Sequence, residues 1–274
     1  MRSLLYVPAH SERFIGKAHE RGADAIILDL EDSVPEVAKD MAREGLKDAV
    51  AMVRRGSAKV LVRINAGERQ QEDALAACRA GADALYVPKA QSAQEFARLV
   101  SVLEPEERRM GRAAMGFVAL IEDPGSVLNA SDITAAPRLL ALSLGGEDLA
   151  LALGAQPTPD VLRLPKLLVH YAAKAKGLLS FGLLRSVADY SDHVGITAAA
   201  REAREHGFDG ATCVHPGVVP LLNAAFAPNA EELAWAERVL EGAATGKGAF
   251  ELDGKMIDAP IIARARATLR RSQQ

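Results

Sequence analysis

The sequence predicts an α/β fold of the (β/α)8 TIM-barrel class with a C-terminal extension of helix and hairpin. Eight strand-like runs are spread along the chain, and helix-like segments or loops separate most of them. Alternation of strand and helix is typical of a parallel sheet. Eight such repeats in roughly 250 residues indicate a closed barrel rather than an open sheet. The first strand is not followed by a GxGxxG motif, which counts against a dinucleotide-binding fold.

The composition is that of a large globular domain, with 49% apolar residues in a chain of 274. A net charge of −3 and an aromatic content of 4% do not fit a nucleic-acid-binding protein, which would carry a basic stripe or stacking aromatics. No apolar run is long enough for a membrane span or a signal peptide. Cys78 and Cys213 lack metal-ligand spacing, so we expect a cytoplasmic protein with free thiols.

Each predicted strand is a short apolar run bounded by turn residues. The clearest predicted helix is 35–55, which has proline in its first turn and glycine directly after its end. Other helices are predicted at 11–21, 72–79, 92–103 and 195–206. The eight strands are predicted at residues 3–7, 25–29, 59–64, 84–87, 115–121, 139–144, 178–184 and 211–214.

The chain changes character after His215, and we divide it into a barrel of residues 1–225 and an extension of residues 226–274. The extension contains a helix at 231–242 and the dipeptide Asp253-Gly254, which predicts a short hairpin. A closed barrel does not require such a tail. We therefore expect the extension to cover the mouth of its own barrel or to reach a neighbouring subunit.

Glu122 and Asp148 form the central pair of polar residues, because each follows a predicted strand at the end where barrels bind ligands. Gly145 and Gly146, just before Asp148, would let the backbone approach a ligand closely. Two carboxylates without a neighbouring His or Cys suit Mg²⁺ and argue against zinc. Spacing alone leaves a second interpretation open, in which Glu122 caps the next segment and Asp148 begins a helix.

Arg63 and the acids after the second strand form another polar group. Arg63 offers a planar fork to a substrate carboxylate; alternatively, it forms a salt bridge with Asp29 or Glu31 in the barrel mouth. We predict that Glu31 and Asp32 contribute to substrate binding beside Arg63, by holding metal-bound water or by orienting the guanidinium. The alternative for these acids is capping of the helix that follows Pro35.

Three further polar residues allow both a functional and a structural interpretation. Lys89, after the fourth strand, would form a Schiff base if it were desolvated, although such lysines are more often ion-pair partners. His215 precedes a proline and is expected to hydrogen-bond the backbone. Asp258 has the position of an N-cap for the last helix.

Together these stretches resemble the citrate lyase beta-subunit-like branch of the HpcH/HpaI aldolase family. The matching pieces run through nearly the whole chain, and LDLEDSV, VRIN, GxEDL and DGKMIDAP are specific in this order. The chain is identified as a member of this family. The matching stretches are RSLLYVPAHSERF, GADAIILDLEDSVPEVAKDMAR, VRIN, ALYVPKA, ALIEDPGSVLNA, LSLGGEDLALALG, GFDGATCVHPGVVPLLNAAF and GAFELDGKMIDAP.

The resemblance implies a Mg²⁺-dependent carbon–carbon lyase that cleaves or forms a 3-hydroxyacyl thioester such as malyl-, citramalyl- or citryl-CoA. In the family, the acids matching Glu122 and Asp148 bind Mg²⁺, and the arginine matching Arg63 binds a substrate carboxylate. The aspartate matching Asp258 is implicated in catalysis in some members, where it reaches the active site of an adjacent subunit. The resemblance therefore implies a homotrimer and catalytic roles for Asp258 and Arg63.

The chain departs from the family pattern near the expected docking site of the acyl and coenzyme A groups. The first strand ends in VPAH rather than in Val-Pro-Gly and an acid. Asp123 replaces a Thr or Ser after Glu122, and the stretch SVADYSD replaces a Tyr-Val-Asp type pattern. These departures leave the identity of the thioester open.

Two rival functions also remain open from the sequence. A Schiff-base aldolase would use Lys89 and would resist chelators. A complex-dependent or non-catalytic lyase subunit would act only with a partner that carries the acyl group.

Overall fold

Eight parallel strands form the main sheet of this computed structural model, which describes residues 1–244 and 248–272. Neighbouring strands pair in the order β7-β6-β5-β4-β3-β2-β1-β8. A bridge between Phe181 and Gly210 joins the two edges, so the sheet closes into the predicted barrel. The strands are β1 (Ser3–Pro8), β2 (Ala25–Asp29), β3 (Lys59–Arg63), β4 (Ala84–Val87), β5 (Gly116–Ile121), β6 (Leu139–Leu144), β7 (Leu179–Phe181) and β8 (Ala211–Cys213).

Helices lie between the strands and continue beyond the last of them. They are α1 (Glu12–Ala18), α2 (Lys39–Glu44), α3 (Leu46–Val53), α4 (Gln70–Ala80), α5 (Ala93–Met110), α6 (Pro124–Leu128), α7 (Ala130–Ile133), α8 (Gly146–Leu153), α9 (Pro159–Ala175), α10 (His193–Glu205), α11 (Val219–Phe226), α12 (Ala230–Ala243) and α13 (Ala259–Ser272). Short 3₁₀ turns occupy Glu36–Ala38, Gly67–Arg69 and Pro216–Val218.

The barrel interior is a packed apolar core rather than a channel. The rings of Tyr6 and Tyr86 meet edge to face, with centroids 5.9 Å apart. Burial of this core fixes the strands and therefore the positions of the polar residues that follow them. The buried cluster draws on each of the strands β1 to β7 and comprises Leu4, Ala25, Ile27, Leu61, Ala84, Tyr86, Val118, Leu120, Ala141 and Phe181.

The strand register brings the predicted site residues to one end of the barrel. Asp29 at the end of β2 is paired with Arg63 at the end of β3. Ile121 at the end of β5 is paired with Leu144 at the end of β6. Glu122 and the residues after Leu144 therefore leave the sheet side by side.

The structure corrects two of the predicted elements and contains helices, α9 among them, that were not predicted. The helix predicted at 35–55 is divided into a 3₁₀ turn, α2 and α3, with Gly45 between the two helices, because glycine stabilises a helix interior poorly. The strand predicted at 178–184 is limited to Leu179–Phe181. Helix α9 was missed, because Pro165 in its interior is an unfavourable helix residue.

The chain separates into two compact units, residues 1–223 and 224–274. In the second unit, β9 (Phe250–Leu252) and β10 (Lys255–Ile257) form the predicted antiparallel hairpin. Asp253 and Gly254 have φ of 51° and 72°, as a two-residue turn between twisted strands requires. Both cysteines are free, as predicted, and both are buried. Within the described residues, we find no helix with the length and apolar character needed to cross a membrane.

Candidate active site

A cavity of about 390 Å³ opens at the C-terminal ends of the barrel strands. It brings together residues from β1, β2, β3, β5, β6 and β8 and from the segments that follow β2, β5, β6, β7 and β8. Its polar lining includes both acids of the predicted metal pair and the predicted carboxylate-binding arginine. The polar and charged residues of the lining are Tyr6, Asp29, Asp32, Ser33, Arg63, Glu122, Ser143, Glu147, Asp148, Lys166, Ser186 and Thr212.

Glu122 lies directly after β5 and is buried, with 4% of its surface exposed. Its Oε2 accepts a hydrogen bond from the backbone N–H of Lys89 at 2.6 Å. Gly145 makes room for this carboxylate, because a Cβ at that position would lie 2.9 Å from Glu122 Oε1. The helix-capping role considered for Glu122 belongs instead to Asp123, whose Oδ1 accepts the N–H of Ser126 at 3.0 Å.

Asp148 lies in the first turn of α8, two residues after the pair of glycines that follows β6. An acid at this position favours the helix, as the structural interpretation of the sequence proposed. The same position also places Asp148 in the cavity lining together with Glu122. The helix-terminal role and a ligand role are therefore compatible for this residue.

The acids at the cavity repel one another and are poorly solvated. Burial first, and then the charges of Glu31 and Asp148, raise the pKa of Glu122 to about 8. Burial likewise raises the pKa of Glu31 to about 7. Among the described residues Glu31 Oε2 accepts no hydrogen bond, although it lies 3.0 Å from Arg63 Nη1. A bound divalent cation would offset this repulsion.

The donor set fits Mg²⁺. Carboxylate oxygens are hard ligands, and Mg²⁺ commonly takes one or two protein carboxylates and fills its other positions with water and substrate oxygens. Within the described ranges, no group of three or more His, Cys, Asp or Glu residues is arranged to hold a metal ion. Glu122 and Asp148 together would give an open, two-carboxylate site rather than a closed cage.

Arg63 is anchored on one edge by Asp29, as the salt-bridge interpretation of the sequence anticipated. Its Nε donates to Asp29 Oδ1 and its Nη2 to Asp29 Oδ2, both at 2.7 Å. The guanidinium also lies over the Tyr6 ring, 4.9 Å from the centroid. Although burial opposes ionisation, the hydrogen bonds from Arg63 hold the pKa of Asp29 below its usual value.

The other edge of Arg63 faces one buried acid, Glu31, whose Oε2 lies 3.0 Å from Nη1, and one exposed acid, Asp32. Nη1 donates to Asp32 Oδ2 at 2.8 Å, and the Asp32 side chain is 58% exposed. A ligand carboxylate can compete with such a solvated partner at far lower cost than with buried Asp29. The predicted salt bridges to Asp29 and Glu31 are therefore both present, one on each edge, and the carboxylate-binding role of Arg63 stays a prediction.

Lys89 and His215 have mainly structural surroundings. Lys89 Nζ lies 3.5 Å from Glu31 Oε1, and the charge of Glu31 raises the Lys89 pKa. A Schiff-base lysine needs the opposite shift. His215 Nδ1 accepts the N–H of Gly217 at 3.1 Å, as predicted, and its ring stacks on Tyr190.

Asp258 belongs to the second unit of the chain, where it directly precedes α13. Its Oδ1 accepts the N–H of Ile261 at 3.4 Å, and its backbone carbonyl accepts the N–H of Ile262 at 3.0 Å. The predicted capping position is therefore observed. The catalytic role implied by the family resemblance stays a prediction.

Lys166 is a cavity residue that sequence reasoning missed. It lies on α9 with 4% of its surface exposed, and its Nζ donates to the backbone carbonyl of Arg185 at 2.9 Å. Burial lowers the Lys166 pKa to about 8. The helical spacing of the apolar residues Leu162, Val169 and Ala173 could have indicated this position. Lys166 lies on the same buried face of the helix.

Comparisons with known proteins agree with this fold. The sequence model for HpcH/HpaI aldolase/citrate lyase matches residues 2–216. The (3S)-malyl-CoA thioesterase of Cereibacter sphaeroides is 34% identical over 280 residues, which cover 99% of this chain and 94% of that protein. Citrate lyase subunit beta of Escherichia coli is 32% identical over 283 residues, which cover 99% and 93%.

Solved structures give the same result. CitE from Mycobacterium tuberculosis, in complex with magnesium, acetoacetate and coenzyme A, is 30% identical, with a TM-score of 0.78 and full coverage of both chains. The M. tuberculosis citrate lyase beta subunit, complexed with oxaloacetate and magnesium, is 30% identical, with a TM-score of 0.69 over 83% of this chain and 97% of that one. A family match over most of the chain, relatives above 30% identity and a shared barrel lead to one conclusion: this protein belongs to the HpcH/HpaI aldolase/citrate lyase family.

Proposed function

We propose that the protein is a Mg²⁺-dependent carbon–carbon lyase that cleaves or forms a 3-hydroxyacyl thioester such as malyl-, citramalyl- or citryl-CoA. The observation that carries this proposal is the shared cavity of Glu122, Asp148 and Arg63. Two paired acids and a cation suit a substrate that carries a hydroxyl and a carboxylate. Related structures with bound magnesium, keto acids and coenzyme A support the same substrate class.

Glu122 and Asp148 would hold the Mg²⁺. Bound there, the ion would supply positive charge that acidifies a substrate hydroxyl. Burial of Glu122 strengthens every electrostatic interaction at this point, since little water screens it. Gly145 keeps the Glu122 carboxylate free to approach a ligand.

Arg63 would fix the substrate carboxylate. Asp29 holds the guanidinium in one orientation through two hydrogen bonds, so the Nη1 edge is already positioned when substrate arrives. The carboxylate would take the place of Asp32 on that edge. Glu31 and Asp32 would then contribute by limiting how the incoming group can lie.

The bond that breaks in the cleavage direction joins the carbon bearing the hydroxyl to the α-carbon of the thioester. A base takes the hydroxyl proton, the oxygen forms the carbonyl of a keto acid, and the bonding pair passes to the thioester as its enolate. Protonation of the α-carbon then gives the acyl thioester. Asp258, supplied by an adjacent subunit of a homotrimer, is our candidate for the acid–base role.

Hydrolysis of the thioester is the second candidate function. The observation that favours it is the 34% identity to a protein named (3S)-malyl-CoA thioesterase. The substrate and the cavity would be the same, but water would attack the thioester carbonyl and the carbon–carbon bond would survive.

One assay separates these functions. Purified protein is supplied with malyl-CoA or citramalyl-CoA, with Mg²⁺ and again with excess chelator, and both free thiol and keto acid are measured. We expect keto acid without free thiol, and loss of this release with chelator. Free thiol without keto acid would establish hydrolysis instead. Keto acid that survives chelation, with borohydride trapping at Lys89, would establish the Schiff-base aldolase. No product of either kind would favour the complex-dependent subunit.

A further inference from the structure

Lys166 is a buried ammonium group in the wall of the candidate active site. It lies at the middle of α9, and that helix packs against β6 and β7. Within the described chain, its hydrogen bond goes to an uncharged carbonyl, that of Arg185, and Glu147 attracts it electrostatically without an ion pair within 4.0 Å. An ammonium has three N–H donors, so this carbonyl leaves part of its capacity free.

Placing a lysine here without a carboxylate partner is unfavourable for stability. Buried charges are normally paired, because removal from water costs free energy that a single neutral hydrogen bond does not offset. Glu147, which also lines the cavity, attracts Lys166 electrostatically but accepts its hydrogen bond from Ser186 Oγ. An unpaired charge of this kind at a cavity wall indicates a ligand partner.

The other cations near the predicted metal acids are already paired. Arg63 is held by Asp29, and Lys89 lies 3.5 Å from Glu31. Lys166 is therefore the cation of the described cavity lining that has no carboxylate within ion-pair distance. It is available to an oxygen of the substrate.

The order of strands decides which oxygen that is. Arg63 ends β3, Glu122 follows β5, Asp148 follows β6, and α9 covers β6 and β7. A substrate with its carboxylate at Arg63 and its hydroxyl at the acids continues around the barrel mouth towards Lys166. In a 3-hydroxyacyl thioester, the group at that end is the thioester carbonyl.

We propose that Lys166 is a catalytic residue whose ammonium donates a hydrogen bond to the thioester carbonyl oxygen and stabilises the charge that develops there. This inference rests on the proposed function. As the carbon–carbon bond breaks, its electron pair delocalises onto this oxygen as an enolate, while the hydroxyl proton goes to the base. Lys166 keeps its own proton, and the α-carbon is protonated afterwards. Charge stabilisation by a preorganised donor is often the largest contribution to such a reaction.

The test uses the full-length protein with Mg²⁺ and three variants. Lys166→Met removes the charge and keeps the length of the side chain, and Lys166→Arg restores a cation. Lys176→Met is the matched control, because Lys176 is exposed at the end of the same helix. The measurements are kcat and KM for malyl-CoA and citramalyl-CoA, Mg²⁺ affinity, and the thermal midpoint Tm. Exchange of the α-protons of acetyl-CoA in D₂O measures enolate formation without a keto acid.

For Lys166→Met we expect kcat to fall by about 10²- to 10³-fold, as for loss of one oxyanion donor, with a parallel loss of α-proton exchange. Its Tm should be unchanged or higher, because an unpaired buried charge has been removed. Mg²⁺ affinity should stay within threefold, Lys166→Arg should recover at least a tenth of the activity, and Lys176→Met should match the wild type.

Two results would overturn the role of Lys166 while leaving the lyase intact. One is wild-type kcat and exchange in Lys166→Met. The other is a loss of activity accompanied by lower Tm and weaker Mg²⁺ binding, which would mark Lys166 as structural. A wild-type protein that cleaves neither thioester would refute the proposed function and this inference together.

Discussion

Breaking the buried pair of Asp29 and Arg63 should destabilise the barrel far more than breaking a similar pair near its surface. In Asp29→Asn, two hydrogen bonds of 2.7 Å lose their charged acceptor, and Arg63 stays buried with Glu31 and Asp32 as its remaining acidic partners. Breaking a buried pair costs about 3–5 kcal/mol, and the remaining contact with Asp32 favours the lower end of that range. For a chain of this size, about 3 kcal/mol corresponds to a fall in Tm of roughly 6–12 °C.

The matched control is Asp24→Asn. Asp24 receives the same two-point contact, from Arg2 at 3.0 and 2.8 Å, but this pair is 35% and 22% exposed. Its loss should cost about 1 kcal/mol or less. Differential scanning calorimetry of both variants gives the comparison.

A double-mutant cycle completes the test. Arg63→Met with Asp29→Asn should be less destabilised than the sum of the single changes, because the unpaired guanidinium is then absent. Asp29→Asn should also raise KM for thioesters that carry a carboxylate. Equal losses of Tm in Asp29→Asn and Asp24→Asn, together with an unchanged KM, would refute the orienting role of Asp29.

Three further predictions follow from the site and its surroundings. Mg²⁺ at about 100 times its Kd should stabilise the protein by about 2.7 kcal/mol and raise Tm. Glu122→Gln should abolish this rise in Tm. An equal rise in Tm in that variant would show that Glu122 is not a metal ligand. Gly145→Ala should weaken Mg²⁺ binding at least tenfold in calorimetric titration, since its Cβ would lie 2.8 Å from Glu122 Cγ. Gly16→Ala, with open space around its Cβ, is the control. Equal Mg²⁺ affinities of the two variants would contradict the close approach of Gly145 to Glu122. Burial holds the pKa of His170 below its usual value, so the folded protein loses stability as the pH falls through the unfolded-state pKa of about 6.5. Tm should therefore fall less between pH 7 and 5 in His170→Phe than in the wild type. Identical pH profiles of Tm in the two proteins would count against this.

The barrel and its site end could be predicted because parallel strands buried on both faces are nearly continuous apolar runs. The runs that end in Glu122 and before Asp148 were therefore visible, and the closed topology placed them together. The prediction of the seventh strand was the least accurate. Its apolar run continues past Phe181, although pairing with β6 stops at that residue.

The contacts within the site depend on pairings that the local sequence does not contain. Arg63 meets Asp29 because β2 and β3 pair in one register, which no local pattern specifies. The division of roles between Glu122 and Asp123 depends on the direction in which each carboxylate leaves β5. Lys166 was missed together with α9. That helix contains Pro165, and proline is normally excluded from a helix interior.

The closure of the barrel has a consequence for its local dynamics. β7 and β8 have three residues each. A bridge between Phe181 and Gly210 joins this part of the barrel, and the N–H of Gly182 donates to the backbone carbonyl of Gly210 at 2.9 Å. A seam with so few ladder bonds is where native-state opening should need the least free energy. We therefore expect local opening between β7 and β8, beside the segment that carries Arg185. The paired strands β2 and β3, which position Arg63, should remain intact during that opening.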